Sequence, residues 1–286
     1  MSVPDLSALY DLLGLLPLEC MKLRFMQQAL LALLLLAPMA ATLGVEVIAF
    51  RMAFFSDAIG HSAFTGVALG LLLGIDPRLT MPAFGVLTGL TIMALRRGSP
   101  LSADTVIGIV FSGSIAFGLA VVGRFNGLAR SMQQFLYGDI LTISDKEILF
   151  LALLLAVLII FQTFGYNRLL AVALHPAMAR AHGVRVAFWQ YCFVSLLALV
   201  VTFSVWAVGI LLVTALLIVP AAAARNFART AGGMLWWAAL IGLVSAFAGL
   251  TLSAWEHSSA PCGAMIILVA CAVFALSHAY ARLRTP

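Results

Sequence analysis

Long apolar runs separated by short polar stretches set the pattern of this chain. Runs fall at 26–45, 54–74, 79–95, 104–123, 147–165, 188–206, 208–224, 234–253 and 261–279. At about 1.5 Å per helical residue, each is long enough to cross a bilayer core of roughly 30 Å, with modest adjustment for the shortest. The pattern predicts an all-α polytopic membrane bundle of eight or nine transmembrane helices. The count turns on 188–224, joined only near Ala207, where one span plus a re-entrant segment is the alternative to two spans. Pro220 is expected to kink or end its helix. Residues 1–25 read as an amphipathic lead-in and 26–280 as a single transmembrane domain.

The second run, FFSDAIGHSAFTGVALGLLLG, is the unusual one. Asp57, His61 and Thr65 follow at four-residue spacing, so they share one helix face. Ala58, Ser62, Gly66, Gly70 and Gly74 form a small-residue stripe beside it, of the kind that lets membrane helices approach closely. A carboxylate near mid-membrane costs on the order of 3 kcal/mol on insertion scales and is therefore usually paired, hydrated or functional. Carboxylate oxygen and imidazole nitrogen at this spacing can reach one divalent ion, and such a mixed set suits zinc, manganese or ferrous iron. An Asp57–His61 hydrogen bond, or an Asp57–Arg51 pair, that only locks helices together would use the same residues.

Composition agrees with the pattern. Of 286 residues, 64% are hydrophobic and 9% charged, which excludes an ordinary soluble globular domain. The net charge of +5 is small and its bases are scattered, so they signal topology rather than a nucleic-acid surface. With the amino terminus outside, the inner loops collect Arg51, Arg96, Arg97, Arg168, Arg180, Arg185, Arg225, Arg229, Arg282 and Arg284, ten of the sixteen bases. This bias predicts a cytoplasmic carboxyl terminus. Cys20, Cys192, Cys262 and Cys271 have no metal-ligand spacing. The lead-in lacks the features of a removable signal peptide.

Several polar positions add detail. Ser102 and Asp104 are expected to cap the fourth span, and Glu46 to pair with Arg51. The segment 167–187 reads as the longest inner loop, with a short helix from Pro176 to His182 closed by Gly183. A short cytoplasmic helix is what a membrane domain offers to a motor protein; it would also serve as a plain connection. Asp139, in the outer Gly138–Asp139 turn, and Glu256–His257, in an outer loop, are candidates for shaping an entrance. There is no GxxxxGK[ST] phosphate loop and no HExxH, so neither ATP hydrolysis nor metalloprotease chemistry is expected of this chain. No nucleophile and base constellation suggests another intramembrane enzyme.

The motifs RMAFFSDAIGHSAFTGVALGLLLG, SADTVIGIVFSGSIAFGLAVV, FLYGDIL, the AxARAHGV loop, GILLVTALLIVPAAAARNFART and LSAWEHSSAPCGAMIILV resemble, in order and spacing, those of the ABC-3 family permeases. These are the membrane subunits of bacterial ATP-binding cassette importers for zinc, manganese or iron. The resemblance implies that Asp57 and His61 form the metal site on the translocation path; Thr65, Asp139, Glu256 and His257, from their own positions in the chain, are accessory candidates on that path. It implies a coupling helix within 166–187, carried by His175, Pro176, Ala179, Arg180, His182, Gly183 and Val184. The implied partners are a separate ATPase subunit, an extracytoplasmic metal-binding protein, a second permease copy and the lipid of a bacterial inner membrane. No permanently bound cofactor is implied; the metal is cargo, zinc first, then manganese or iron. Departures from the family pattern are Phe50, where a second base is usual, Pro261–Cys262 in the last motif, and Ser112, where some zinc members carry histidine. The rival class is an ATP-independent transporter or channel using Asp57 and His61 as a proton and metal relay.

Overall fold

The computed structural model describes residues 7–15, 18–123, 140–255 and 260–284. Apart from single 3-10 turns at Glu19–Lys22 and Ile140–Thr142, the regular elements are α-helices: α1 (Ser7–Gly14), α2 (Arg24–Ala49), α3 (Phe55–Leu73), α4 (Pro77–Gly98), α5 (Ala103–Gly123), α6 (Asp145–Leu174), α7 (Pro176–Ala181), α8 (Val186–Val208), α9 (Ile210–Phe227), α10 (Ala231–Ser253) and α11 (Cys262–Arg284). Among the described residues, nine helices are long and apolar enough to cross a membrane. The fold is the polytopic helical bundle that the apolar runs predict.

The 188–224 stretch forms two helices. Gly209 alone separates them, at φ 87° and ψ 160°, a conformation open to glycine and strained for other residues. Pro220 sits inside α9 and does not end it; Pro38 and Pro82 likewise lie inside α2 and α4. The expected loop from 167 is shorter than its sequence suggests. With 30 residues, α6 is about 45 Å long, well beyond a bilayer core. Its last turns, including exposed Asn167 and Arg168, stay helical past the length that a membrane can cover.

The chain divides into two compact units. The first comprises Met1–Val45, Asp139–Val157 and Leu211–Pro286. Here the lead-in is tied down by a polar cluster at the start of α6. Asp145 accepts hydrogen bonds from the Tyr10 hydroxyl at 2.5 Å and from Gln28 Nε2 at 2.9 Å. Arg24 Nη2 stands 3.8 Å from the same carboxylate and its guanidinium lies over the Tyr10 ring at 4.4 Å. Burial, then the bond to Asp145, pushes the Tyr10 pKa up to about 12. In the same unit α10 meets α11 where Gly249 faces the Ile266 backbone, and Asn226 Nδ2 donates to Ser277 Oγ at 2.9 Å.

The second unit comprises Glu46–Gly138 and Leu158–Ile210. Its core is the packing of α3, α4 and α8. A Cβ on Gly66 would stand 2.7 Å from Met81 Cα and 3.0 Å from the Thr80 carbonyl oxygen, so the small-residue stripe of α3 is the face that docks on α4. One turn apart on α4, a Cβ on Gly85 would collide with the Thr202 methyl and one on Gly89 would stand 3.0 Å from Val194 Cγ1, which brings α8 onto the other side. Phe50 and Phe193 stack at 5.1 Å beneath them.

Candidate metal centre

The helix that carries the acid and the imidazole is held from both ends. Before it, α2 closes with Met52 N donating to the Val47 carbonyl at 3.1 Å and Arg51 N to the Ile48 carbonyl at 3.0 Å. This bond pattern is the one that glycine-terminated helices use, and here Arg51 occupies the left-handed position at φ 54°. A non-glycine residue there costs roughly 1–2 kcal/mol, and such strain is retained where the neighbouring chain must be aimed. Arg96 Nη2 reaches back from α4 to the Phe50 carbonyl at 3.4 Å and Nη1 to Met52 Sδ at 2.9 Å, bracing the same turn. At its far end α3 stops at Gly74, φ 68°.

Asp57 lies in the first turn of α3, where the helix dipole favours a negative charge. It is half-buried, while His61, one turn on, is exposed on the surface of the single chain. The His61 ring meets Phe111 of α5 edge to face at 5.6 Å, and exposed Ser112 is the next residue. Thr65 is fully buried and donates its hydroxyl to the Ser114 carbonyl of α5 at 2.6 Å. Its neighbour across that contact is Gly118, where any side chain would collide with the Thr65 oxygen. The series therefore divides: Thr65 holds α5 to α3, leaving Asp57 and His61 as the accessible pair. Among the described residues no third histidine, cysteine or acid joins them. Asp139, Glu256 and His257 lie outside the described residues.

The second group of candidate residues forms a separate feature. Pro176–Ala181 is the short helix α7, and it begins one residue after α6 ends. His175, Pro176, Arg180, His182 and Gly183 are exposed, Val184 is half-buried and Ala179 is the buried anchor. The end of α7 is fixed by Val184 N to the Ala179 carbonyl at 3.0 Å and Gly183 N to the Arg180 carbonyl at 3.0 Å, with Gly183 at φ 77°. That 6→1 and 5→2 pair is a Schellman closure. Beside it Arg168, His182, Arg185, Phe188 and Trp189 line an open hollow of about 410 Å³, with Arg168 stacked over Trp189 at 5.2 Å.

This geometry, an Asp–His pair on a glycine-docked membrane helix and a rigid exposed helix at the end of α6, coincides with a match over most of the chain. Residues 22–281 match the model of the ABC 3 transport family. The chain belongs to that family. It is 32% identical over 251 residues to the high-affinity zinc uptake system membrane protein ZnuB of Haemophilus influenzae, covering 87% of this chain and 95% of the relative. It is 34% identical over 254 residues to the manganese transport system membrane protein MntC of Halalkalibacterium halodurans, covering 88% and 86%. Among solved structures, PsaBC from Streptococcus pneumoniae in complex with Fab shares the fold with a TM-score of 0.77 at 28% identity, over 96% of this chain and 95% of that one.

Two polar features depart from the sequence expectations for this ABC 3 family member. Glu46 does not pair with Arg51: both its carboxylate oxygens are buried without a hydrogen-bond partner. The expected cap at Ser102 is present, its hydroxyl accepting from Thr105 N at 3.2 Å. Sequence reasoning also missed Gln162 and Tyr166, which share the face of α6 beside Glu46. Their signal is two hydrogen-bonding side chains four apart where the apolar run 147–165 ends.

Proposed function

We propose that this ABC 3 family chain is the permease subunit of an importer that moves a divalent transition metal across the bacterial inner membrane, zinc first, manganese or iron next. The observation that carries the reading is the accessible Asp57–His61 pair on α3 with no third ligand among the described residues. One carboxylate and one imidazole make half of a four-coordinate zinc site. A second copy of the chain, presenting its own pair, would complete it, which accounts for an imidazole left open in the single chain.

In this reading Asp57 binds as carboxylate and His61 as neutral imidazole, so metal binding releases protons and uptake weakens as the medium is acidified. ATP is hydrolysed on a separate subunit that docks on α7 through His175, Pro176, Arg180, His182 and Gly183, held in shape by Ala179 and Val184. An extracytoplasmic binding protein delivers the ion. The arginine bias places α7 and the carboxyl terminus in the cytoplasm and the amino terminus outside. Asp139, Glu256 and His257 remain candidates at the outer mouth. The names of the zinc and manganese relatives support the class of cargo.

The test is uptake into vesicles holding the permease with its ATPase and binding protein, with zinc, manganese and iron in competition. Wild type is measured beside Asp57→Ala and His61→Ala. ATP-dependent uptake of one metal, lost in both variants, is expected. Full uptake in both variants would remove the site assignment, and uptake without ATP would return the chain to the relay class.

A further inference from the structure

Away from Asp57 and His61, a second polar group is buried in the same compact unit. Glu46, near the end of α2, is 4% exposed, and neither carboxylate oxygen has a hydrogen-bond partner. The Gln162 carboxamide of α6 lies beside it. Both polar atoms of Gln162 are themselves buried and unpartnered, as is the Tyr166 hydroxyl, one helical turn further along the same face and within electrostatic reach of Glu46.

An unsatisfied buried polar atom is costly, and an ionised carboxylate without a counter-charge more so. Such groups are rare in native structures and point to an ion or water in contact with them. Their clustering on two helices makes a single occupant the economical answer. We propose that Glu46, Gln162 and Tyr166 form a binding site for a hard divalent cation, separate from the Asp57–His61 pair. The Glu46 carboxylate supplies the charge and up to two donor atoms; the Gln162 carboxamide and Tyr166 phenol supply neutral oxygens. An all-oxygen set of this kind suits Mn²⁺, Mg²⁺ or Ca²⁺ and lacks the nitrogen or sulfur that zinc sites commonly use. The bound ion neutralises Glu46 and fastens α2 to α6. The inference rests on the unpartnered atoms and does not depend on the transport reading.

The experiment uses the full-length chain purified in detergent with Asp57→Ala and His61→Ala, so that the other pair cannot bind. Mn²⁺ is titrated in and the free ion is read from its electron paramagnetic resonance signal. Saturable binding is expected, displaced by excess Mg²⁺ or Ca²⁺. Glu46→Gln, which keeps the shape and removes the charge, should weaken it by at least about tenfold, and Tyr166→Phe by several-fold. Should Glu46→Gln not fold, Tyr166→Phe and Gln162→Leu decide alone. No saturable Mn²⁺ binding, or binding indifferent to these substitutions, overturns the proposal and leaves the cluster to water or a proton.

Discussion

Gly66→Ala adds one methyl group to α3, and the structure says what it meets. The new Cβ would stand 2.7 Å from Met81 Cα, 3.0 Å from the Thr80 carbonyl oxygen and 3.2 Å from Phe84 Cβ. Carbon atoms rest at about 3.5–4.0 Å, so α3 and α4 must part by roughly 1 Å. The nearest atoms belong to the α4 backbone and cannot turn aside as a side chain could. Overpacking of this kind costs about 1–3 kcal/mol, partly offset by the roughly 1 kcal/mol that alanine gains over glycine inside a helix. A net loss of up to about 2 kcal/mol is expected, read as a lower melting temperature in detergent. Metal bonds tolerate about 0.2 Å of error, and His61 stands only five residues along the displaced helix. Metal affinity should therefore fall by about tenfold or more, although the substitution touches no ligand. Gly113→Ala on α5, with nothing within 4 Å of its added Cβ, is the control and should be neutral or slightly stabilising. If Gly66→Ala melts and transports like wild type, α3 is not docked on α4 in this register and the reasoning fails.

Three further outcomes follow from other contacts. Gly85→Ala collides with the Thr202 methyl, so adding Thr202→Ser should restore most of the lost stability, giving a coupling of about 1 kcal/mol or more in a double-mutant cycle; simple additivity would contradict the contact. The folded chain raises the Tyr10 pKa from the ordinary 10.0 to about 12, so its contribution is complete below pH 10 and disappears as pH climbs through about 12. Tyr10→Phe should be less stable at neutral pH by about 1–2 kcal/mol, and the gap from wild type should close in strong alkali; a gap constant with pH would refute the bond to Asp145. Arg180→Ala, at an exposed position on α7, should reduce ATPase stimulation and uptake at least tenfold while metal binding to the permease stays unchanged; loss of metal binding too would show that α7 and α3 do not have separate roles.

The spans were legible because membrane helices need uninterrupted apolar length, and polar residues interrupt that length at almost every boundary. The Asp57–His61 pair was legible for the converse reason: two ionisable groups in such a run stand out and four-residue spacing puts them on one face. What the sequence hid was context. The end of α6 reads as a loop because Asn167 and Arg168 are polar, yet a helix that has left the membrane has no need of an apolar sequence to continue. Glu46 read as half of an ion pair because Arg51 is near in sequence. The left-handed turn at Arg51 ends α2 between them, and Gln162 and Tyr166, more than a hundred residues away, are what the acid faces instead. Thr65 reads as an accessory position because spacing shows that it shares a face with Asp57 and His61, while what covers that face depends on Ser114 and Gly118 of another helix.

The length of α6 has a mechanical consequence. A continuous helix of 30 residues behaves as a stiff rod of about 45 Å, and the one residue between it and α7 leaves almost no slack at the joint. A swing of about 5° at the α7 end would carry Leu158, about 24 Å up the rod, through roughly 2 Å. Tyr166 sits in the third of the rod nearest the joint and Gln162 just beyond it. A push on α7 would thus be delivered as leverage along one covalent piece, without relay through side-chain contacts that can slip.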